Sequence, residues 1–265
     1  MAYYKRMKTF KEPYKNYLYF VYRITSPLID VYRLYTGVVG YIWYIRDFFK
    51  YNERTDRKLV VDANLFPVLD EKTKLTAFDA HYYYQQLWVF ENVLLTKPSK
   101  HVDIASTYQL SGYISKIVPT VFLDYRPIDT KLKNLSILQG DILHLPFESN
   151  SLESISCLHV IEHIGLGRYG DPIDPDGLIK ACKELQRVLA IGGKLYLSTP
   201  IGRERVCFNA HRVTDPSAIS VYLNELTLDA FNVVTDSGEF IQDAEMTDFA
   251  QSDYACGMFT FTKKA

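Results

Sequence analysis

Cysteine is scarce in this 265-residue chain: Cys157, Cys182, Cys207 and Cys256 stand far apart. Their scatter suggests neither a disulfide framework nor a thiolate zinc site, and a reducing cytosol fits best. Charge of one sign is not in excess either, with 30 Lys+Arg against 31 Asp+Glu, so bulk electrostatics give no nucleic-acid signal. Long apolar runs are missing too. The longest charge-free stretch of the first third lies between Arg33 and Arg46, twelve residues, where a membrane span needs about 20. Nor does any apolar core lead to a small-residue cleavage site, which argues against a signal peptide and for a cytoplasmic chain. No strand-like run passes directly into a G-x-G-x-x-G; the string at Gly165–Gly170 is separated from His159 by five residues. What is present is ordinary globular composition, 48% apolar and 23% charged, long enough for a sizeable core.

The averages conceal a division. Residues 1–58 hold 12 Lys+Arg against 5 Asp+Glu, a balance of +7, and the remainder holds 18 against 26, a balance of −8. Eleven of the 21 tyrosines, from Tyr3 to Tyr51, fall in the same 58 residues. A basic aromatic extension (1–58) therefore precedes a connecting segment with an aromatic helix (59–100) and an acidic main domain (101–265). From Leu28 to Phe49 apolar residues recur at helical spacing despite Gly37 and Gly40, which predicts an amphipathic helix. Its stripe needs a partner surface. Packing on the main domain or on a second copy through residues 28–49 is the first expectation, and peripheral contact with the inner face of a membrane is the other.

Phe78–Leu95 reads as a further helix, halted before Lys97-Pro98. Beyond it short apolar runs alternate with helical stretches: His101–Ala105, Thr120–Asp124, Leu135–Leu138, Ser154–His159 and Lys194–Thr199. That alternation predicts an α/β fold, a mostly parallel sheet with helices on both faces. The stripe Leu178, Ala181, Cys182, Leu185, Val188, Leu189 predicts a crossover helix stopped by Gly192-Gly193. Thr227–Thr235 and Met258–Thr262 predict an antiparallel pair at one sheet edge. Cys157 and Cys182 sit on apolar faces and read as core.

Ligands of open parallel sheets bind at the carboxyl ends of the strands. Four runs end in polar residues here: Asp103-Ile-Ala105-Ser106, Asp124-Tyr125-Arg126, Gly140-Asp141-Ile142, and His159-Val-Ile-Glu162-His163. Carboxylates after the second and third strands suit the ribose hydroxyls and exocyclic amine of a nucleoside. Each aspartate also has a local reading, as a helix cap or turn former. His159-x-x-Glu162-His163 matches a zinc-peptidase pattern literally, but His159 ends a strand-like run and does not share a helical face with His163.

The series VDIAS, FLDYRP, LQGDILHLPF, CLHVIEHIG and LQRVLAIGGKLYLSTP resembles the ordered motifs of class I S-adenosylmethionine-dependent methyltransferases, over roughly residues 79–262. HVDIAS, CLHVIEHIGLGRYGDPIDPDG and RVCFNAHRV further resemble a methyltransferase-like family associated with bacterial surface-polysaccharide synthesis. The resemblance implies a Rossmann-like sheet of seven strands with a reversed final strand. It implies S-adenosylmethionine as cofactor and S-adenosylhomocysteine as product, held by Asp103, Ala105, Ser106, Asp124, Tyr125, Arg126, Asp141, Ile142 and His159. One departure stands out, since Ala105 occupies the place of the usual first glycine of the loop.

O-methylation of a sugar or phosphate-linked hydroxyl in surface glycan synthesis is the expected activity. A non-catalytic binding or scaffold protein of the same fold, and then a nicotinamide oxidoreductase, are the alternatives. His163 is the first candidate for the base that takes the hydroxyl proton, with Glu162 beside it and His211 second. Arg168, Tyr169, Asp171, Asn209 and Arg212 are candidates for binding a small or glycan substrate, and Arg203 and Arg205 add charge suited to an anionic one. No metal is predicted, although Glu162 and His163 with Asp171 or Asp174 offer ligands of the type Mg²⁺ takes.

Overall fold

A computed structural model describes residues 14–54 and 65–264. The start of the basic extension, with Tyr3 and Tyr4, and the boundary expected at residue 58 lie outside them. The described residues fall into two compact units divided between Ala77 and Phe78. The aromatic helix falls in the second of these units.

The first unit contains α1 (Tyr14–Thr25) and α2 (Val31–Glu53). The second helix begins three residues later than the apolar spacing predicts. Asp30 takes extended backbone and its Oδ1 accepts the Arg33 N–H at 2.9 Å, a cap that leaves Leu28 and Ile29 in the preceding turn. Gly40 is where α2 admits a close neighbour: a Cβ there would lie 2.8 Å from Leu69 Cβ, whereas Gly37 has nothing within 4 Å. Val31, Tyr35, Val38, Ile42, Ile45 and Phe49 along the stripe are exposed. No helix among the described residues is long and apolar enough to cross a membrane.

The second unit is a doubly wound sheet. α3 (Ala80–Thr96), capped by Asp79, leads into β1 (His101–Ile104), α4 (Tyr108–Ile114), β2 (Thr120–Asp124), β3 (Leu135–Gln139) and β4 (Leu152–Leu158). Then follow α5 (Gly177–Val188), β5 (Leu189–Ile201), β6 (Arg205–Cys207), β7 (His211–Val213), α6 (Pro216–Tyr222), β8 (Leu226–Val234), β9 (Phe240–Ile241) and β10 (Ala255–Lys263). The eight-stranded sheet runs β3-β2-β1-β4-β5-β10-β8-β9. β10 is antiparallel to both β5 and β8, so the expected reversed strand is inserted between them. The short edge strand β9 and the separate β6–β7 hairpin have no counterpart in the sequence reading. α5 ends at Val188 without a glycine stop and passes straight into β5. Gly192 and Gly193 lie in that strand instead, where the β4 register shifts between Leu152 and Ser154 and a Cβ on Gly193 would meet Leu152 O at 2.9 Å.

Apolar cores cover both faces. Leu178, Ala181, Cys182, Leu185 and Val188 of α5 and Ile219 of α6 pack on one; Trp88, Val89 and Val93 of α3 with Leu110 and Ile114 of α4 pack on the other. The expected core cysteines, Cys157 and Cys182, are fully buried. Within the centre of the sheet lies a polar chain that neither core accounts for. His101 Nδ1 meets Ser154 Oγ at 2.8 Å and Nε2 meets Ser156 Oγ at 2.9 Å; Ser156 Oγ donates to Asp103 Oδ1 at 2.8 Å, and Ser111 Oγ donates to Asp103 Oδ2. All five side chains except that of Ser154 are wholly shielded from solvent, and Ser154 nearly so.

Burial holds His101 neutral, its pKa pushed from 6.5 down to about 3. The unfolded chain takes up that proton near pH 6.5 and the folded chain does not until about pH 3. This group's stability is therefore complete above pH 6.5 and declines as pH falls, by about 1.4 kcal/mol per unit. Asp103, raised from 3.8 to about 6 by burial against its serine hydrogen bonds, acts in the opposite direction between those values. Between pH 6 and 4 the two terms offset each other, so His101→Gln, which leaves Asp103 unopposed, should gain urea midpoint relative to the natural chain as pH falls from 6.5 to 4. An unchanged pH profile would assign the dependence to other groups.

Candidate functional site

The carboxyl ends of β1 to β4 open on one cleft, at the point where strand order reverses between β1 and β4. Its cavity measures ≈ 210 Å³ and opens to solvent. Ala105, Ser106, Asp124, Tyr125, Arg126, Asp141, Ile142, His159, His163, Tyr169 and Asp171, all expected from sequence, line it. The apolar Leu123, Leu143, Val160 and Ile164, which sequence reasoning did not single out, complete its walls.

Local chemistry sets each side chain. Asp124 Oδ1 accepts the Arg126 N–H at 2.7 Å, and Asp141 Oδ1 accepts the Leu143 N–H at 2.9 Å, so the local turn role of each coexists with its place in the cleft. Ser106 Oγ accepts the Leu158 N–H at 3.1 Å and ties the end of β1 to the end of β4. Asp171 gathers the Gly165 and Tyr169 amides at 2.8 and 3.1 Å, closing the glycine-punctuated loop. Gly165 is obligatory there: its φ is +79°, and a Cβ would stand 2.0 Å from Asp174 O. Tyr169 lies between two guanidinium groups, Arg126 at 4.4 Å and Arg168 at 5.1 Å from the ring centre, and meets His163 edge-on at 5.7 Å.

His163 follows β4 in a 3₁₀ turn, Ile161–His163. Its Nδ1–H donates to Ala210 O at 2.6 Å, which leaves Nε2 as the basic nitrogen. Burial holds its pKa below the ordinary imidazole range, helped by the Arg168 guanidinium 3.1 Å away and opposed by Glu162 and the Ala210 carbonyl. Glu162 is wholly buried behind it. Oε1 lies 2.7 Å from His159 Nδ1 and 3.7 Å from His163 Nε2, and Oε2 accepts from Thr199 Oγ1 at 3.4 Å. Burial alone would raise Glu162, but the His159 imidazole overcomes it and keeps the carboxylate ionised.

Several expected residues stand elsewhere. Asp103 does not reach the cleft, because its carboxylate belongs to the buried serine chain of the central strands. Arg212 spends its guanidinium on the carbonyls of Ile164 at 2.7 Å and of Asp174 and Pro175 at 3.3 Å, bracing the loop from behind. His211 packs at a tilt against Tyr254, ring centres 4.9 Å apart, and burial drives its pKa down to about 4; it does not line the cleft. Asn209 is exposed in the β6–β7 hairpin turn, and Arg203 and Arg205 engage Asp253. Asp171 and Asp174 are occupied by loop amides and by Lys180, so they do not converge with Glu162 and His163 on an ion. Among the described residues the metal-competent trio is a different one, His81, His159 and Cys256.

Ala105 carries the strain its identity predicts, with φ at +50°, and His159 on the neighbouring strand end stands at +54°. The left-handed region costs a non-glycine residue about 1–2 kcal/mol, against about 0.5–1 kcal/mol of unfolded-state entropy that glycine adds. Ala105→Gly should therefore fold with unchanged or slightly higher Tm. A clear fall in Tm would show that the alanine methyl is held by packing and is not merely tolerated.

Known proteins agree with this geometry at the level of the fold. A family model described as "Caenorhabditis protein of unknown function, DUF268" matches residues 127–251. No curated protein matches the chain. Among solved structures, a protein described as a sarcosine dimethylglycine methyltransferase from Galdieria sulphuraria is 14% identical with a TM-score of 0.51, over 69% of this chain and 86% of its own. The 1,6-didemethyltoxoflavin-N1-methyltransferase of Burkholderia thailandensis, solved with S-adenosylhomocysteine, is 11% identical with a TM-score of 0.50, over 70% and 79%. The [4+2]-cyclase SpnF is 13% identical with a TM-score of 0.50, over 69% and 82%. The sheet is a Rossmann-like methyltransferase fold, and SpnF shows that this fold also serves other chemistry.

Proposed function

We propose that the chain is an S-adenosylmethionine-dependent O-methyltransferase whose acceptor is an anionic sugar or phosphate-linked hydroxyl. The observation that carries this reading is the cleft that gathers Asp124 and Asp141 with His163, whose Nδ1–H is tied to Ala210 and whose Nε2 is therefore the basic nitrogen. The cleft residues fit the cofactor. Asp124 offers a carboxylate to the ribose hydroxyls, Asp141 one to the adenine amine, and Leu123, Ile142 and Leu143 an apolar wall for the ring. Bound there, S-adenosylmethionine supplies a sulfonium methyl group that a nucleophilic oxygen can take.

The chain's own contribution is placement and proton transfer. His163 Nε2 accepts the acceptor hydroxyl's proton, and Glu162 at 3.7 Å stabilises the imidazolium that results. Arg126 and Arg168 at the Tyr169 ring suit an anionic group on the acceptor. The resemblance of HVDIAS, CLHVIEHIGLGRYGDPIDPDG and RVCFNAHRV to a family of surface-polysaccharide synthesis supports a glycan acceptor.

Calorimetric titration with S-adenosylhomocysteine tests the cofactor half. Asp124→Ala should weaken binding by about 1.5–3 kcal/mol, the loss of a charged acceptor, in a protein that stays folded. Unchanged affinity would remove Asp124 from the site, and absence of binding by the natural chain would favour the non-catalytic reading. For the chemistry, His163→Ala should keep cofactor affinity and lower single-turnover methyl transfer by roughly 10²–10⁴-fold. A fully active, folded variant would end the assignment of the base to His163.

A further inference from the structure

At His159, itself on the cleft wall, three side chains of different elements meet. One ring nitrogen of His81 in α3, one of His159 after β4 and the sulfur of Cys256 in β10 all lie within 4.8 Å of one another, and all three residues are buried. They come from positions 81, 159 and 256, so no local spacing announces them.

His159 is the informative member. Its Nδ1 is committed to Glu162 Oε1 at 2.7 Å, while its Nε2 is buried with no hydrogen-bond partner. With Nδ1–H held by Glu162, Nε2 is the only ring nitrogen of His159 left to a cation, whose binding takes the place of any proton there. The arrangement of carboxylate, imidazole and open nitrogen is the one that orients histidine toward a metal. An orphaned buried nitrogen costs free energy that a bound cation would recover. His81 supports the same reading by position, since a ring nitrogen of this buried histidine lies within 4.8 Å of the His159 and Cys256 ligand atoms.

We propose that His81, His159 and Cys256 form a site for one borderline-soft divalent transition ion, zinc being the fitting choice, with Glu162 as the positioning residue for His159. The donor set excludes magnesium and calcium, which take oxygen, and two imidazoles with one thiolate suit zinc. Zinc bonds of about 2.0–2.3 Å place tetrahedral ligand atoms roughly 3.4–3.7 Å apart, so a 4.8 Å triangle closes by shifts of about an ångström. Cys256 gives up its thiol proton and His159 gives up any proton on Nε2 while keeping the Nδ1–H that faces Glu162, so zinc binding releases protons to solvent. Three protein ligands leave a fourth position for water or another small donor.

The test uses the full-length chain, stripped of metal by chelation and titrated with zinc against a chromophoric chelator, then with cobalt(II). The expected result is one ion per chain, with a thiolate-to-cobalt charge-transfer band and tetrahedral visible bands. Cys256→Ser should weaken zinc binding by more than about 100-fold and abolish that band. Glu162→Gln should weaken it by about 10–100-fold, the range for a partner of a ligating histidine. Cys207→Ser, which alters a cysteine outside the cluster, should change neither. Absence of stoichiometric binding, a cobalt adduct without sulfur charge transfer, or zinc affinity unchanged by Cys256→Ser would each overturn the site. If Cys256→Ser does not fold, the cobalt spectrum of the natural chain decides alone.

Discussion

The hydrogen-bonded chain Ser154–His101–Ser156–Asp103–Ser111 is the constraint on which the cleft depends. Two titratable side chains stand in the middle of the sheet, and each is made tolerable only by serines from β4 and α4. The serines fix β1 against β4, the pair at which strand order reverses, and it is this reversal that separates the following loops and opens the cleft. Ser106 repeats the device one step nearer the site by taking the Leu158 amide. An apolar pair of central strands would be as stable, but a one-residue slip of register would cost it less.

Glu162 performs a comparable function at the cleft wall, since one buried carboxylate faces His159 on one side and His163 on the other. The two imidazoles differ because their second nitrogens differ. His163 donates its Nδ1–H to a backbone carbonyl and keeps Nε2 as its basic nitrogen, while His159 has Nδ1 on Glu162 and its other nitrogen buried without a hydrogen-bond partner, in the trio with His81 and Cys256. Any change in the charge held by Glu162 is felt at both, so the proton-accepting ability of the cleft and the electrostatics of the inner trio belong to one coupled unit.

The sheet was legible because buried parallel strands are short apolar runs and the crossover helices carry a 3.6-residue stripe. Asp124, Asp141, His159 and His163 were legible because strand ends are where a parallel sheet exposes polar groups. What the sequence obscured has specific causes. Asp103 looks like its neighbours Asp124 and Asp141, and only the packing of Ser111 and Ser156 around it reveals that it turns away from the cleft. Arg212 reads as substrate-binding until the carbonyls of Ile164, Asp174 and Pro175 are seen to claim it. His81 and Cys256 gave no signal at all, because α3 and β10 are brought together by the sheet and by nothing local in the chain. Gly192 and Gly193 misled for the opposite reason, since the same residues that stop helices also make bulges.

The strand order has a consequence for the chain as it is synthesised. His101 and Asp103 leave the ribosome some fifty residues ahead of Ser154 and Ser156, and β2 and β3, which could pair with β1, emerge in between. A nascent β1–β2–β3 sheet would have to bury the imidazole without Ser154 and Ser156, and the carboxylate with Ser111 but without Ser156, so early consolidation is penalised. Such a sheet is held open until β4 arrives, and the unpaired edge of β1 stays wet and reversible instead of committing to a wrong neighbour.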